Sequence, residues 1–538
     1  MQMEAAAPRL GVDAVATTAA AGALATLLVW LGPPAPDLAA HIYQRALFLE
    51  HGFVFWNNFW YAGRYSFVTY SLLYYPLAVA VGIKLLAVVS VAAAASAFAA
   101  VIHHEWGTIG RWSSRAFALV WAALVLSGAF PFLLGSAFAL LALSALQRAR
   151  RWTFVLLAAL TLASSPLAFV LLVVILAGIE LARRDEPAKL LAPAAAVGAI
   201  GLFELLLLRM FPGHGHYPFS PEEFAAACAF CIGAAVLAWN VPGARVLRWM
   251  FVACLCACTA AFAVSSPVGE NIARFRFAAA PLAILVLSLR HWRPRWVCVV
   301  ALVLASSWNV TPLIASYRQG QADPAGHAAY WAPTIRYLHK HLSASYRVEA
   351  VDTRGHWAAN FLPRAGIPLT RGWYRQEDFP QNEVLYGPLG ARQYVDWLRK
   401  LSVRYVVLTS APPDYSAKAE ARLLSSGRSG LRIVHRGANT TVFAVPSPHA
   451  LITGPGPALV LAFSQTHLRL KISVPGSYRL SVSYSPYWSA SSGCLGPEKD
   501  GMTALTVARP GIVSLRFEVT ATRALEAVAG EKPVFCST

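Results

Sequence analysis

The chain has 538 residues, of which 57% are hydrophobic and only 13% charged. A soluble globular protein carries about 25% charged residues, so an ordinary water-soluble domain is excluded for the whole chain. The formal charge of +19 sits largely in short basic clusters between apolar runs, which points to membrane topology rather than nucleic acid, and no nucleic-acid module is recognisable.

The apolar runs come first. A bilayer crossing needs about 20 apolar residues, and runs of that kind predict about eleven helices in the first part of the chain. They lie at 13–32, 83–103, 115–131, 133–147, 152–164, 166–182, 190–208, 223–240, 247–265, 275–290 and 296–314. The first run follows a short start containing Arg9 and reads as a retained helix rather than a cleaved signal. Gly128 and Pro131 interrupt one stretch and Ser164-Ser165-Pro166 another. Each stretch is either two short helices meeting at a break or one kinked helix.

Basic residues set the orientation. Arg148, Arg150 and Arg151 form one cluster, and Arg183, Arg184 and Lys189 a second. Arg245 with Arg248, and Arg290 with Arg293 and Arg295, complete the set. Eleven spans put all of them on one side with the N-terminus, and the positive-inside rule makes that side cytoplasmic. The expectation is a multi-pass cell-membrane protein. Loop 33–82, loop 209–222, loop 266–274 and everything after 315 would then be extracytoplasmic.

Three regions are expected: a transmembrane domain at 1–318, an α/β domain at 319–446 and a β-sandwich at 447–538. In the second, 330–342, 389–401 and 416–425 read as helices, and 346–351, 403–409, 431–435 and 440–445 as strands. In the third, strands at 468–474, 478–484, 503–507 and 512–519 are separated by Pro-Gly and Asp-Gly turns. Cys494 and Cys536, the two cysteines of this outer part, can pair as a disulfide. Cys228, Cys231, Cys254, Cys256, Cys258 and Cys298 lie in apolar runs and read as small hydrophobes.

The first external loop holds the densest chemistry. If 37–45 is helical, Asp37, His41 and Arg45 stand on one face at spacings of four. Trp56, Asn57 and Arg64 follow within a stretch rich in aromatic and hydrogen-bonding groups. Such a mixture suits a sugar site, and equally an interfacial aromatic belt. A second polar group is Glu270, Asn271, Arg274 and Arg276, and a third is Arg371, Trp373 and Arg375, with Arg354, His356 and Trp357 upstream. The arginines of the second group are either ligand-binding or snorkelling to headgroups, and the third is either an acceptor-site lining or a salt-bridged surface. His214 and His216 have spacing that a metal can use, inside a Gly- and Pro-flanked loop.

An Asp just after the first transmembrane helix, opening a long external loop with an amphipathic helix, resembles the glycosyltransferase C superfamily. The run Asp37, His41, Arg45, Trp56, Tyr61-Ala62-Gly63-Arg64-Tyr65 and Tyr74-Tyr75-Pro76-Leu77 is similar to a bacterial group within it, named for 6-pyruvoyl-tetrahydropterin synthase. The resemblance implies a fold of that type and a sugar donor on a polyprenyl phosphate, with a glycan, lipid or protein as acceptor and membrane lipid as partner. It implies Asp37 as the base, with His41, Arg45 and Arg64, or Arg274 and Arg276, neutralising the leaving phosphate. Paired acidic residues that hold a divalent metal in many members are not matched here, because Leu38 follows Asp37. Two other readings stand beside this one, a transporter of lipid-linked substrate and a non-catalytic envelope scaffold or sensor.

Overall fold

A computed structural model of the protein describes residues 7–183, 187–213, 215–530 and 535–537. The predicted Arg184 and His214 lie outside the described residues. The chain forms two compact units. The first comprises residues up to 36, 70–204 and 216–320, and the second 37–69, 205–215 and 321–538.

The first unit is helical. Helices lie over each of the predicted apolar runs. Among the described residues, seven continuous helical segments are long and apolar enough to cross a membrane, one of them the 45-residue stretch Ile83–Ser127. Arg151–Ser164 and Pro166–Ala182 are shorter. The apolar side chains of these helices face outward as well as inward. On Arg295–Gln321, Val299, Val303 and Leu304 are each at least 60% exposed. A row of that kind is tolerable only in hydrocarbon, so the chain is a membrane protein.

Local chemistry sets the breaks between helices. Ser165 is extended and its Oγ accepts from Ala168 N at 3.3 Å, so Arg151–Ser164 and Pro166–Ala182 are two helices, with Pro166 at a first-turn position where its missing N–H costs nothing. Gly128 takes a left-handed conformation, φ 79°, which ends the turn before Phe130–Gln147. Small residues let helices touch. A Cβ on Gly178 would meet the Met250 backbone at 2.5 Å, and one on Gly135 would meet Ala168 Cβ at 2.9 Å.

The second unit joins loop 37–69 to the C-terminal region. Its α/β part has a four-stranded sheet. Arg347–Ala350 pairs parallel with Val403–Thr409, which pairs antiparallel with Thr440–Ala444, and Arg432–Arg436 forms the edge. Helices Ala328–His341, Ala391–Lys400 and Lys418–Ser425 occupy the predicted positions. The strand-rich end has two antiparallel sheets, of five and four strands. Alternate residues are buried, as at Leu468, Leu470 and Ile472. Cys494 and Cys536 form a disulfide between neighbouring strands.

Loop 37–69 is woven into both parts by backbone hydrogen bonds. Leu369 N donates to Phe59 O and Asn58 N to Gln465 O, both at 2.9 Å, while Ser483 N donates to Ala62 O at 2.8 Å. A hairpin, Trp56–Asn57 with Arg64–Tyr65, fixes the middle of the loop.

Candidate functional site

Within the second unit, the start of the first loop meets the segment 371–377. Leu38–His51 is helical, with Asp37 at its N-cap position, so Asp37, His41 and Arg45 take the expected spacing. The Trp373 indole Nε1 donates to Asp37 Oδ1 at 3.0 Å. Its ring centroid lies 5.8 Å from that of His41, which is fully buried. Asp37 and Arg45 are half-buried. Tyr374 packs edge-on against Trp373, with centroids 4.7 Å apart, and the Arg64 guanidinium lies 4.0 Å above the Tyr374 ring. Arg64 Nη2 is 3.4 Å from Glu377 Oε1. Burial works against the charge on Arg64, but Glu377 and Tyr374 outweigh it and raise its pKa. A carboxylate, an imidazole, an indole and a paired guanidinium therefore share one neighbourhood.

Two other predicted residues of the loop are packing residues. Trp56 is 1% exposed, stacks on Phe517 at 4.8 Å, and donates to Asn58 Oδ1 at 2.7 Å. Asn57 is engaged on both sides, accepting from Phe59 N at 2.9 Å and donating to the Tyr43 hydroxyl at 3.0 Å.

Arg371 and Arg375 belong to a buried ion network behind Trp373. Arg371 grips Asp378 with two bonds, at 3.1 and 2.8 Å, and donates to Ser416 Oγ at 3.1 Å. Arg375 lies 2.6 Å from Asp414 and 3.4 Å from Asp352, and also donates to Ser416. His356 Nδ1 is 2.8 Å from Asp352. Burial alone would raise the Asp378 and Asp414 carboxyls, but the Arg371 guanidinium at the first, and Arg375 and His356 at the second, hold them below the usual carboxylate range. Burial would lower His356, but Asp352 raises it above its ordinary value. Beneath the network, burial raises the carboxyls of Glu349 and Glu420, the second to about 7. Such a set of matched charges clamps loops together.

No protein-family model matches this sequence, and no curated protein matches it. Solved structures do, among them two of the arabinofuranosyltransferase AftD from mycobacteria. The first, a single-particle cryo-EM structure, is 13% identical, with 96% of this chain and 57% of that chain covered at a TM-score of 0.45. The second, of a mutant, is 14% identical, with 96% and 60% covered at a TM-score of 0.46. The chain thus spans a little over half the length of these structures.

The first unit holds the second polar group, on a helical turn, Gly269–Ala278, that runs into Ala279–Leu289. Here the structure separates residues that look alike in sequence. Arg276 Nη1 lies 2.7 Å from Glu223, which also accepts from Trp308 Nε1 at 3.0 Å. Glu270 accepts from Ser220 Oγ at 3.1 Å. Both are tied into the helix packing. Arg274 donates to Asn271 Oδ1 at 3.1 Å, lies 5.5 Å from the Phe132 ring, and forms part of the wall of a cavity of about 540 Å³.

That cavity is lined mostly by apolar side chains, among them Phe98, Phe117, Trp121, Leu143 and Phe251. It follows Phe130–Gln147 from Phe132 to Gln147, a run that the rise of an α-helix makes roughly 22 Å long. Glu105, Arg151 and Arg183 line it beyond Gln147, with Arg183 3.3 Å from Glu105.

A divalent metal of the kind the family resemblance raises does not fit the residues around Asp37. Among the described residues, no three His, Cys, Asp or Glu side chains meet in a metal-binding group. Tyr374 and Glu377 carry no site signal of their own in the sequence, although they lie beside Trp373 and Arg375. The aromatic lining of the cavity carries no such signal either, because its residues are spread over many helices and share no motif.

Proposed function

We propose that the protein is a membrane glycosyltransferase that moves a sugar from a polyprenyl-phosphate donor to a glycan, lipid or protein acceptor outside the cytoplasm. The observation that carries this reading is the cavity of the first unit, long and apolar enough for an isoprenoid chain, with Arg274 on its wall. A lipid phosphate leaving group needs a cation to take up its charge, and Arg274 is assigned that role. The acceptor hydroxyl loses its proton as it attacks the anomeric carbon, and a carboxylate accepts it. Asp37 is assigned as that base. The proposed topology has about eleven spans, a cytoplasmic N-terminus and the C-terminal region outside, as the basic loops suggest.

A cavity with charged residues at its far end also suits a transporter of lipid-linked substrate. Purified protein incubated with a radiolabelled polyprenyl-phosphate sugar and membrane acceptor extract separates the two. Label released from the polyprenyl phosphate into a new glycan supports the transferase, and intact donor moved across a vesicle membrane supports the transporter.

A further inference from the structure

A second site lies in the α/β part of the second unit. Val348 in Arg347–Ala350 bridges in parallel to Leu369 on one side, and the whole strand pairs in parallel with Val403–Thr409 on the other. The chain leaves Arg347–Ala350 through helix Ala358–Arg364 toward the Leu369 side, then returns through Ala391–Lys400 to the opposite side. Connections therefore diverge at the carboxyl ends of Arg347–Ala350 and Val403–Thr409. In open parallel sheets that divergence leaves a crevice where ligands bind.

A cavity of about 510 Å³ occupies this crevice. Its frame is held by three backbone hydrogen bonds between the two departing loops. Val351 N donates to Val407 O at 3.0 Å, Arg354 N to Pro412 O at 3.2 Å and Asp414 N to Asp352 O at 2.9 Å. Val351, Leu408 and Ala421 give it an apolar floor, and Thr409, Ser410 and Ser425 add hydroxyls.

Charge sets the class of ligand. Lys418 and Arg422 stand one helical turn apart on Lys418–Ser425, both exposed and both lining the cavity. Among the described residues neither has an ion-pair partner, and the Arg422 Nε donates to the Lys418 carbonyl at 3.1 Å. The one carboxylate in the wall, Asp352, is already held by His356 at 2.8 Å and Arg375 at 3.4 Å. The mouth is therefore positive, the wall hydroxylated and the floor suited to the C–H face of a ring.

We propose that this crevice binds a small phosphorylated sugar, its phosphate between Lys418 and Arg422 and its ring over Val351 and Ala421. The proposal stands independently of the function assigned to the membrane unit.

The test is calorimetric titration of the full-length protein in detergent with glucose 1-phosphate, and separately with glucose and inorganic phosphate. Glucose 1-phosphate is expected to bind at least roughly tenfold more tightly than either part alone, a difference of about 1.4 kcal/mol. The double variant Lys418→Glu, Arg422→Glu is expected to lose that binding with an unchanged Tm, because both side chains are exposed. Ser425→Trp, which fills the mouth without altering charge, is expected to lose it too. No binding of glucose 1-phosphate, equal binding of inorganic phosphate, or binding that survives both variants overturns the proposal.

Discussion

The indole of Trp373 donates a hydrogen bond of 3.0 Å to the carboxylate of Asp37, residues that lie far apart in the sequence. Loop 37–69 is thus held by the C-terminal region, and the acidic residue at its head is oriented by a specific donor. An indole N–H fixes a carboxylate oxygen without neutralising it. That is the arrangement a general base needs, charged yet positioned.

Trp373→Phe tests the positioning. The ring stays against His41 and Tyr374 while the donor is lost. The expected cost is about 1 kcal/mol of stability, with a larger proportional fall in transfer than in Tm. A melting curve and a rate measurement on the same preparation check it. Equal falls in the two would make Trp373 a packing residue only.

The two arginines of the turn Gly269–Ala278 should separate. Arg274→Ala is expected to weaken donor use while the protein keeps its Tm, because the side chain bonds Asn271 and faces the cavity. Arg276→Ala leaves Glu223 without its ion-pair partner and is expected to cost roughly 1–3 kcal/mol of stability. Donor titration and thermal unfolding of the two variants distinguish them.

Acid should loosen the second unit. The Asp378 and Asp414 carboxyls are depressed in the folded state. Their contribution is present above the unfolded value, near 4, and is lost as pH falls through the folded value. The melting temperature is expected to drop steeply below about pH 4. In Asp378→Asn it should start lower and fall less steeply over that range.

Glu420 acts in the opposite sense. Burial raises its carboxyl to about 7, so the folded state holds the proton more tightly than the unfolded chain. That contribution is complete below the unfolded value and lost as pH rises through about 7. The raised His356 adds a loss on the same alkaline side. Glu420→Gln, which keeps an acceptor for the Tyr394 hydroxyl, is expected to melt higher than the parent at pH 8 and alike at pH 5. A parallel shift at both values would contradict the titration.

Much of the architecture could be read from local pattern. Val403–Thr409 has the bounds expected of it, because Val403, Tyr405, Val406, Val407 and Thr409 are all residue types that favour strands. The break at Ser165-Pro166 is written in a cap and a proline. The helix Ala358–Arg364 leaves no clear pattern in the sequence, since it is short and carries Pro363. Long-range partners were the harder part. Trp56 has the composition of a sugar-stacking residue, and only the position of Phe517 reveals it as core. Arg371 and Arg375 read in sequence as an acceptor-site lining or a salt-bridged surface, and the partners Asp378, Asp352 and Asp414 that close around them come together only through folding. Arg274 and Arg276 stand two positions apart, and the helical turn alone sends one to a cavity and the other to Glu223.

The central claim is that Asp37 carries the chemistry. Asp37→Asn keeps an oxygen for Trp373 and removes the charge, so it separates reaction from packing. The decisive measurement is the envelope glycan profile, by mass spectrometry, of cells whose only copy is Asp37→Asn, beside the wild type and a deletion. The account predicts a profile matching the deletion, with the variant present in the membrane at the wild-type level. A wild-type profile from that strain would contradict it.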